Sequence, residues 1–197
     1  MNTHRLPLLT VLLALYLQGC VSISNQTTAI DQQIPPVQPA NAWQLTGKLG
    51  FKSPQKAGSV NLNWHQSGAD YQLKLSGPLG TGNAKITGNN DHIEMQQGTK
   101  TYLGKPEELG LQLLGAPLPV NAMSWWARGL PSPNYPTASN IIIDAQGAPQ
   151  SFEQAGWQLS FSQFQSIDKH LLPKKVSGQL GDLSFKLVIS RWNLSDN

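Results

Sequence analysis

Residues 60–75 read VNLNWHQSGADYQLKL. Val60, Leu62 and Trp64 alternate with Asn61, Asn63 and His65; beyond Ser67-Gly68-Ala69-Asp70, the residues Tyr71, Leu73 and Leu75 alternate with Gln72 and Lys74. A period of two puts the apolar side chains on one face of an extended chain and the polar ones on the other. The four residues between the runs are turn formers. Two half-buried strands joined this tightly form an antiparallel hairpin, and that decides the class as mainly β, with one face turned to a core.

The same period continues on both sides. Upstream, Trp43 to Phe51 alternates, and Ser53-Pro54-Gln55-Lys56-Ala57-Gly58 forms a loop. Downstream, Ala84 with Ile86 and Ile93 with Met95 mark two short strands around Gly88-Asn89-Asn90-Asp91, and Tyr102 marks another. The pattern then changes. Pro106-Glu107-Glu108 suits a first helical turn, because proline lacks the N–H that goes unused there and acids favour the positive end of the dipole. Leu109, Leu113 and Leu114 share a helical face that Gly115 ends, and Asn121 is placed as N-cap of a second short helix carrying Met123, Trp125 and Trp126, closed by Gly129-Leu130-Pro131. Residues 132–140 read as loop. Alternation returns at 141–144, 157–161, 176–180 and 185–192. A sheet this long curls, so the expectation is an incomplete, open antiparallel β-barrel with the short helices inserted as a lid over an apolar cavity.

The start of the chain sets the compartment. Met1 to Arg5 carry positive charge and Leu6 to Leu17 are apolar, the pattern of a secretory leader that is too short to span a bilayer. Leu17-Gln18-Gly19-Cys20 follows and resembles the lipobox of bacterial lipoproteins. Cys20 is the single cysteine of the 197 residues; one cysteine forms no internal disulfide, which suits an acyl attachment point. The expected organisation is a signal peptide over 1–19, a flexible Gln/Ser/Thr/Pro-rich tether over 20–40, and one β domain over 41–197. In such lipoproteins an Asp after the lipidated cysteine favours inner-membrane retention. Val21 stands there, so the resemblance implies the outer membrane.

Charge and motifs exclude several classes. The net charge of +3 is spread over scattered lysines, without the dense basic stripe of a nucleic-acid binder. His4, His65, His92 and His170 are isolated in sequence, with no metal-ligand spacing, no nucleophile elbow and no phosphate loop. No catalytic residue, metal or cofactor is assigned. One turn stands out: residues 76–82, SGPLGTG, hold Leu79 among glycines and a proline, where a large apolar side chain has no backbone advantage.

With these residues in hand, the chain resembles the outer-membrane lipoprotein receptor family LolB. GAPLPVNAMSWWARGLP, residues 115–131, is similar to that family's middle helical region, and YQLKLSGPLGTG, residues 71–82, to its strand and P-L-G loop. Trp64-His65-Gln66 and the last strand with Trp192 fit the same order. The resemblance implies a monomer, lipid-anchored and facing the periplasm, that accepts lipoproteins from a soluble LolA-type carrier. It would hold their acyl chains without ATP and insert them into the phospholipid of the inner leaflet. It also implies that Leu79 enters the membrane. Acyl-chain contact is expected at Trp64, Leu73, Leu75, Ile86, Leu109, Leu113, Met123 and Trp126. The residues alone leave other readings open: a lipoprotein that binds a free fatty acid or glycolipid, a periplasmic lipid hydrolase on a β scaffold, or an envelope protein with a filled interior.

Overall fold

The computed structural model describes residues 42–77, 82–114 and 119–195, without the side chains of residues 109 and 112–114. It forms the expected 60–75 hairpin. β2 (Ala57–Ser67) and β3 (Asp70–Ser76) pair antiparallel, with Trp64 opposite Leu73 and Leu62 opposite Leu75. β1 (Ala42–Lys52) lies on the other side of β2, and β4 (Ala84–Gly88), β5 (Ile93–Gln97) and β6 (Lys100–Gly104) extend the meander beyond β3. A second meander runs β7 (Ser139–Ile143), β8 (Pro149–Gln154), β9 (Trp157–Ile167), β10 (His170–Leu180) and β11 (Leu183–Ser195).

The two meanders join through β1 and β11, the first and last strands, giving one antiparallel sheet in the order β6-β5-β4-β3-β2-β1-β11-β10-β9-β8-β7. Edge strands β6 and β7 are not paired to each other, so the barrel is open. The seam carries one irregularity. Its register shifts between Thr46 and Gly47, and Ser190 Oγ donates to the Thr46 carbonyl at 2.9 Å. Gly47 is required there, since a Cβ would overlap the Val188 carbonyl oxygen.

Helices α1 (Pro106–Leu114) and α2 (Val120–Trp126) lie in the chain between the two free edges. The expected start of α1 is observed: Glu107 and Glu108 occupy its first turn, and Glu108 Oε2 accepts from the Lys105 N–H at 3.3 Å. α1 ends at Leu114; Gly115 lies outside the described residues. The start of α2 differs from the expectation. Asn121 is not its cap, for Pro119 holds that position without a side-chain bond, while Asn121 Nδ2 donates to the Asn90 carbonyl at 3.0 Å and fastens the helix to the β4–β5 turn.

β8 has no counterpart in the sequence reading, and β7 begins at Ser139, inside the stretch read as loop. Among the described residues no helix is long and apolar enough to cross a membrane.

Candidate functional site

The concave face of the sheet divides into a filled half and a hollow half. The filled half lies over β8–β11. There Trp126 of α2 is wholly buried, stacked on Phe185 at 6.5 Å and tilted against Trp157 at 6.1 Å, while Phe152 packs on Phe161 at 5.0 Å. Its indole N–H has a defined partner, because Trp126 Nε1 donates to Gln154 Oε1 at 2.8 Å. Gln154 saturates its amide in this position: Oε1 also accepts from the Ser132 N–H at 2.8 Å, and Nε2 donates to the carbonyls of Ser132 at 2.8 Å and Pro136 at 2.9 Å. A buried amide with every group bonded is a stable brace. It clamps α2 and the segment after it onto β8.

The hollow half lies over β1–β5, where a cavity of about 350 Å³ separates the sheet from the helices. Its wall is apolar: Leu49 and Phe51 from β1, Val60, Leu62 and Trp64 from β2, Leu73 and Leu75 from β3, and Ala84 and Ile86 from β4. Gly110 of α1 with Val120 and Met123 of α2 covers it from the concave side, and Leu187 of β11 also contributes. The volume falls toward the lower end of the roughly 300–1,000 Å³ typical of ligand pockets.

The register shows which way the cavity points. Lys56 just before β2, Ala57 and Gly58 at its start, Gly82 before β4 and Gln97 at the end of β5 all line it, and all belong to one end of the strands. These residues are exposed, so the cavity meets solvent at that end. The inner limit is Trp64, whose Nε1 donates to Gln66 Oε1 at 2.8 Å and whose ring tilts against Trp43 at 5.2 Å. Trp192 packs edge-on against Trp43 at 5.3 Å and donates its indole N–H to the Pro173 carbonyl at 3.0 Å. Three tryptophans thus close the far end, and the bonded indole N–H groups of Trp64 and Trp192 do not burden the apolar space.

Of the residues expected to meet acyl chains, Trp64, Leu73, Leu75, Ile86 and Met123 line this cavity. Trp126 does not: its size and its bond to Gln154 draw it into the filled half. Leu109 and Leu113 are on α1, but their side chains lie outside the described part, as do Cys20 and Leu79 altogether. The described end of β3 and start of β4 lie at the open end, and Gly82 before β4 lines the cavity. The sequence reading missed Leu49, Phe51, Val60, Leu62 and Leu187 as lining, although Val60 and Leu62 share the alternating face of Trp64.

The outer face offers little chemistry. His65 and His92 border one shallow depression with Asp70 and Glu94. Among the described residues no group of three or more His, Cys, Asp or Glu is placed to hold a metal ion.

Comparison with known proteins matches this architecture. The family described as "LolB: Outer membrane lipoprotein LolB" matches residues 41–192. The outer-membrane lipoprotein LolB of Stutzerimonas stutzeri (strain A1501) is 34% identical over 196 residues, covering 94% of either chain. That of Cellvibrio japonicus (strain Ueda107) is 34% identical over 195 residues, covering 95% of this chain and 96% of its own. Among solved structures, a LolA superfamily protein from Nitrosomonas europaea superposes with a TM-score of 0.56 over 86% of this chain and 93% of its own, at 9% identity. At that identity the likeness speaks for the fold alone.

Proposed function

The chain belongs to the LolB family of outer-membrane lipoproteins, and from that premise we propose that it is a lipoprotein receptor anchored through Cys20 to the periplasmic face of the outer membrane. It takes lipoproteins from a LolA-type carrier, shelters an acyl chain in the cavity over β1–β5, and releases it into the inner leaflet. The observation that supports this reading is the cavity itself, mainly apolar in its lining and open at one end. Burial is worth about 0.8 kcal/mol per CH₂. Carrying a long acyl chain bare through water therefore costs on the order of 10 kcal/mol, and a sheltered path removes most of that barrier.

Such a transfer needs no nucleotide. The chain passes between apolar surroundings of similar kind, so direction follows from a modest difference in affinity between carrier, receptor and bilayer. Leu79 serves the last step, because the strand ends that flank its segment in the chain lie at the open end and one inserted leucine contributes roughly 1.5–3 kcal/mol. That is too little to anchor a protein, but enough to bring the mouth against lipid. Cys20 supplies the anchor.

A reconstituted transfer tests the reading. Liposomes are mixed with purified carrier loaded with a labelled lipoprotein, with and without this protein. Label should enter the liposomes at an appreciable rate only in its presence, and excess free fatty acid should not compete. Transfer at the same rate without the protein removes the proposal. Full inhibition by free fatty acid favours the reading as a fatty-acid binder.

A further inference from the structure

At the end of the sheet opposite the cavity mouth, the turn that closes α2 brings Arg128 between aromatic faces. Its guanidinium carbon is 4.7 Å from the Trp125 ring centroid and 5.9 Å from that of Trp43. The side chain is only 8% exposed. Nε donates to the Ser124 carbonyl at 3.0 Å. Among the described residues, the N–H groups on the two Nη atoms have no partner, and no carboxylate reaches the side chain. Neither Nη is among the fully enclosed unpaired polar atoms of the described residues. Burial pushes the pKa down to about 10, which leaves the group charged at neutral pH.

A desolvated guanidinium is normally matched by an anion, since buried charge is destabilising unless it is paired and hydrogen-bonded. Two indole faces offset part of that cost. They leave the outer fork of the guanidinium, the part that grips two oxygens at once, unused. We propose that Arg128 is a carboxylate-binding site, its two Nη groups receiving both oxygens of a planar monoanion beside Trp43 and Trp125. The charge sets the class. Burial lowers its pKa with no contribution from a charged neighbour among the described residues, so no second cation assists it there, and a phosphate dianion would leave one negative charge unbalanced. The carboxylate comes either from a small free acid or from an acidic side chain of a protein docked on this end. The inference does not depend on what fills the cavity, which opens at the other end.

Full-length protein in detergent is titrated with sodium acetate against sodium chloride at equal ionic strength, following tryptophan emission and thermal unfolding. Acetate alone should change the emission saturably and raise Tm by about 3–6 °C at ten times its dissociation constant. Arg128→Lys, which keeps the charge but not the fork, should bind acetate at least about ten-fold more weakly. Arg128→Met should show no acetate response and should unfold in chloride at or above the wild-type Tm, because the substitution breaks no ion pair. A Gly-Gly-Asp-Gly-Gly peptide that binds at least ten-fold tighter than acetate, while its Asn counterpart does not bind, assigns the source to a protein. Equal binding of acetate and the Asp peptide assigns it to a small acid. Identical responses to acetate and chloride overturn the site. So does an Arg128→Met protein that binds acetate normally, or one that melts well below wild type in chloride, which would make the guanidinium a brace between Trp43 and Trp125.

Discussion

Gln154 and Tyr71 are both buried polar side chains, yet the fold treats them oppositely. Gln154 has every hydrogen-bonding group matched. Replacing it with Leu keeps most of the volume but leaves the Trp126 N–H, the Ser132 N–H and two carbonyls unpaired in the interior. Each buried orphan costs about 1–3 kcal/mol. Gln154→Leu is thus expected to lose roughly 3 kcal/mol or more and to melt about 6–12 °C lower, read by thermal denaturation; an unchanged Tm would show that the brace is dispensable. Among the described residues the Tyr71 hydroxyl is enclosed with no partner. Burial, assisted by the Glu107 carboxylate, raises its pKa above the ordinary 10.0. The folded protein therefore keeps the phenol neutral where the unfolded chain ionises it. That contribution is complete below pH 10.0 and is lost as pH rises above it. Tyr71→Phe should equal or exceed wild type by up to ~1 kcal/mol at neutral pH and lose less stability between about pH 8 and pH 11. Urea midpoints at the two pH values report both effects, and a less stable variant at neutral pH would mean that the hydroxyl has a partner after all. For Leu79, in the β3–β4 connection, the expected outcome of Leu79→Glu follows from its proposed role at the mouth. Uptake of lipoprotein from the carrier continues, while incorporation into liposomes stops; equal incorporation by both proteins refutes that role.

Among the elements, the exit of α2 is the clearest case of local sequence dictating geometry. Gly129 N–H donates to the Trp126 carbonyl at 2.9 Å and Leu130 N–H to the Trp125 carbonyl at 3.1 Å, the paired bonds of a Schellman motif, with Gly129 at φ +79°. The Gly-Leu-Pro sequence announces this stop. Gly129→Ala would force a side chain into the left-handed region, with its Cβ 3.2 Å from Pro149 Cγ. A loss of about 1–2 kcal/mol and a Tm lower by roughly 3–6 °C are expected, measured by thermal unfolding; unchanged stability would refute the cap. The first meander is legible for a simple reason. β2 and β3 place Leu62, Trp64, Tyr71 and Leu73 inward at strict alternation, so side-chain hydrophobicity alone reports the period. β8 is silent because its inward residues are Pro149, Phe152 and Gln154: the spacing is broken, and the glutamine is buried by hydrogen bonds rather than by hydrophobicity. Asn121 misleads as a cap because its amide bonds a carbonyl 31 residues earlier in the chain, a contact that only the tertiary structure creates.

At the scale of the whole molecule, the seam between β1 and β11 makes one sheet from two meanders, and the segment between the two free edges supplies the cover. The sequence foretells an open, curled sheet with helices on its concave side, but not which half stays hollow. Both halves alternate alike; the difference is summed side-chain volume. Trp126, Trp157, Phe152, Phe161 and Phe185 fill the space over β8–β11, whereas leucine, valine, alanine and isoleucine dominate the wall over β1–β4 and leave about 350 Å³. Trp126 illustrates the limit, since its helical position fits either half and the bond to Gln154 decides. The same seam bears on the tether. Ala42 pairs with Ser195, and Trp43 and Leu45 are already wholly buried core, which supports the expectation of a domain that begins near residue 41 and folds without the arm. A soluble version, with residues 1–40 replaced by an exported, non-acylated leader that is cleaved, should therefore unfold in one cooperative transition at the Tm of the full chain. It should also still accept acyl cargo from the carrier while remaining in solution. Calorimetry and a carrier-to-receptor transfer assay read the two parts separately. Loss of the cooperative transition would place part of the tether inside the fold, and a folded protein that takes up no cargo would show that the acyl anchor takes part in capture.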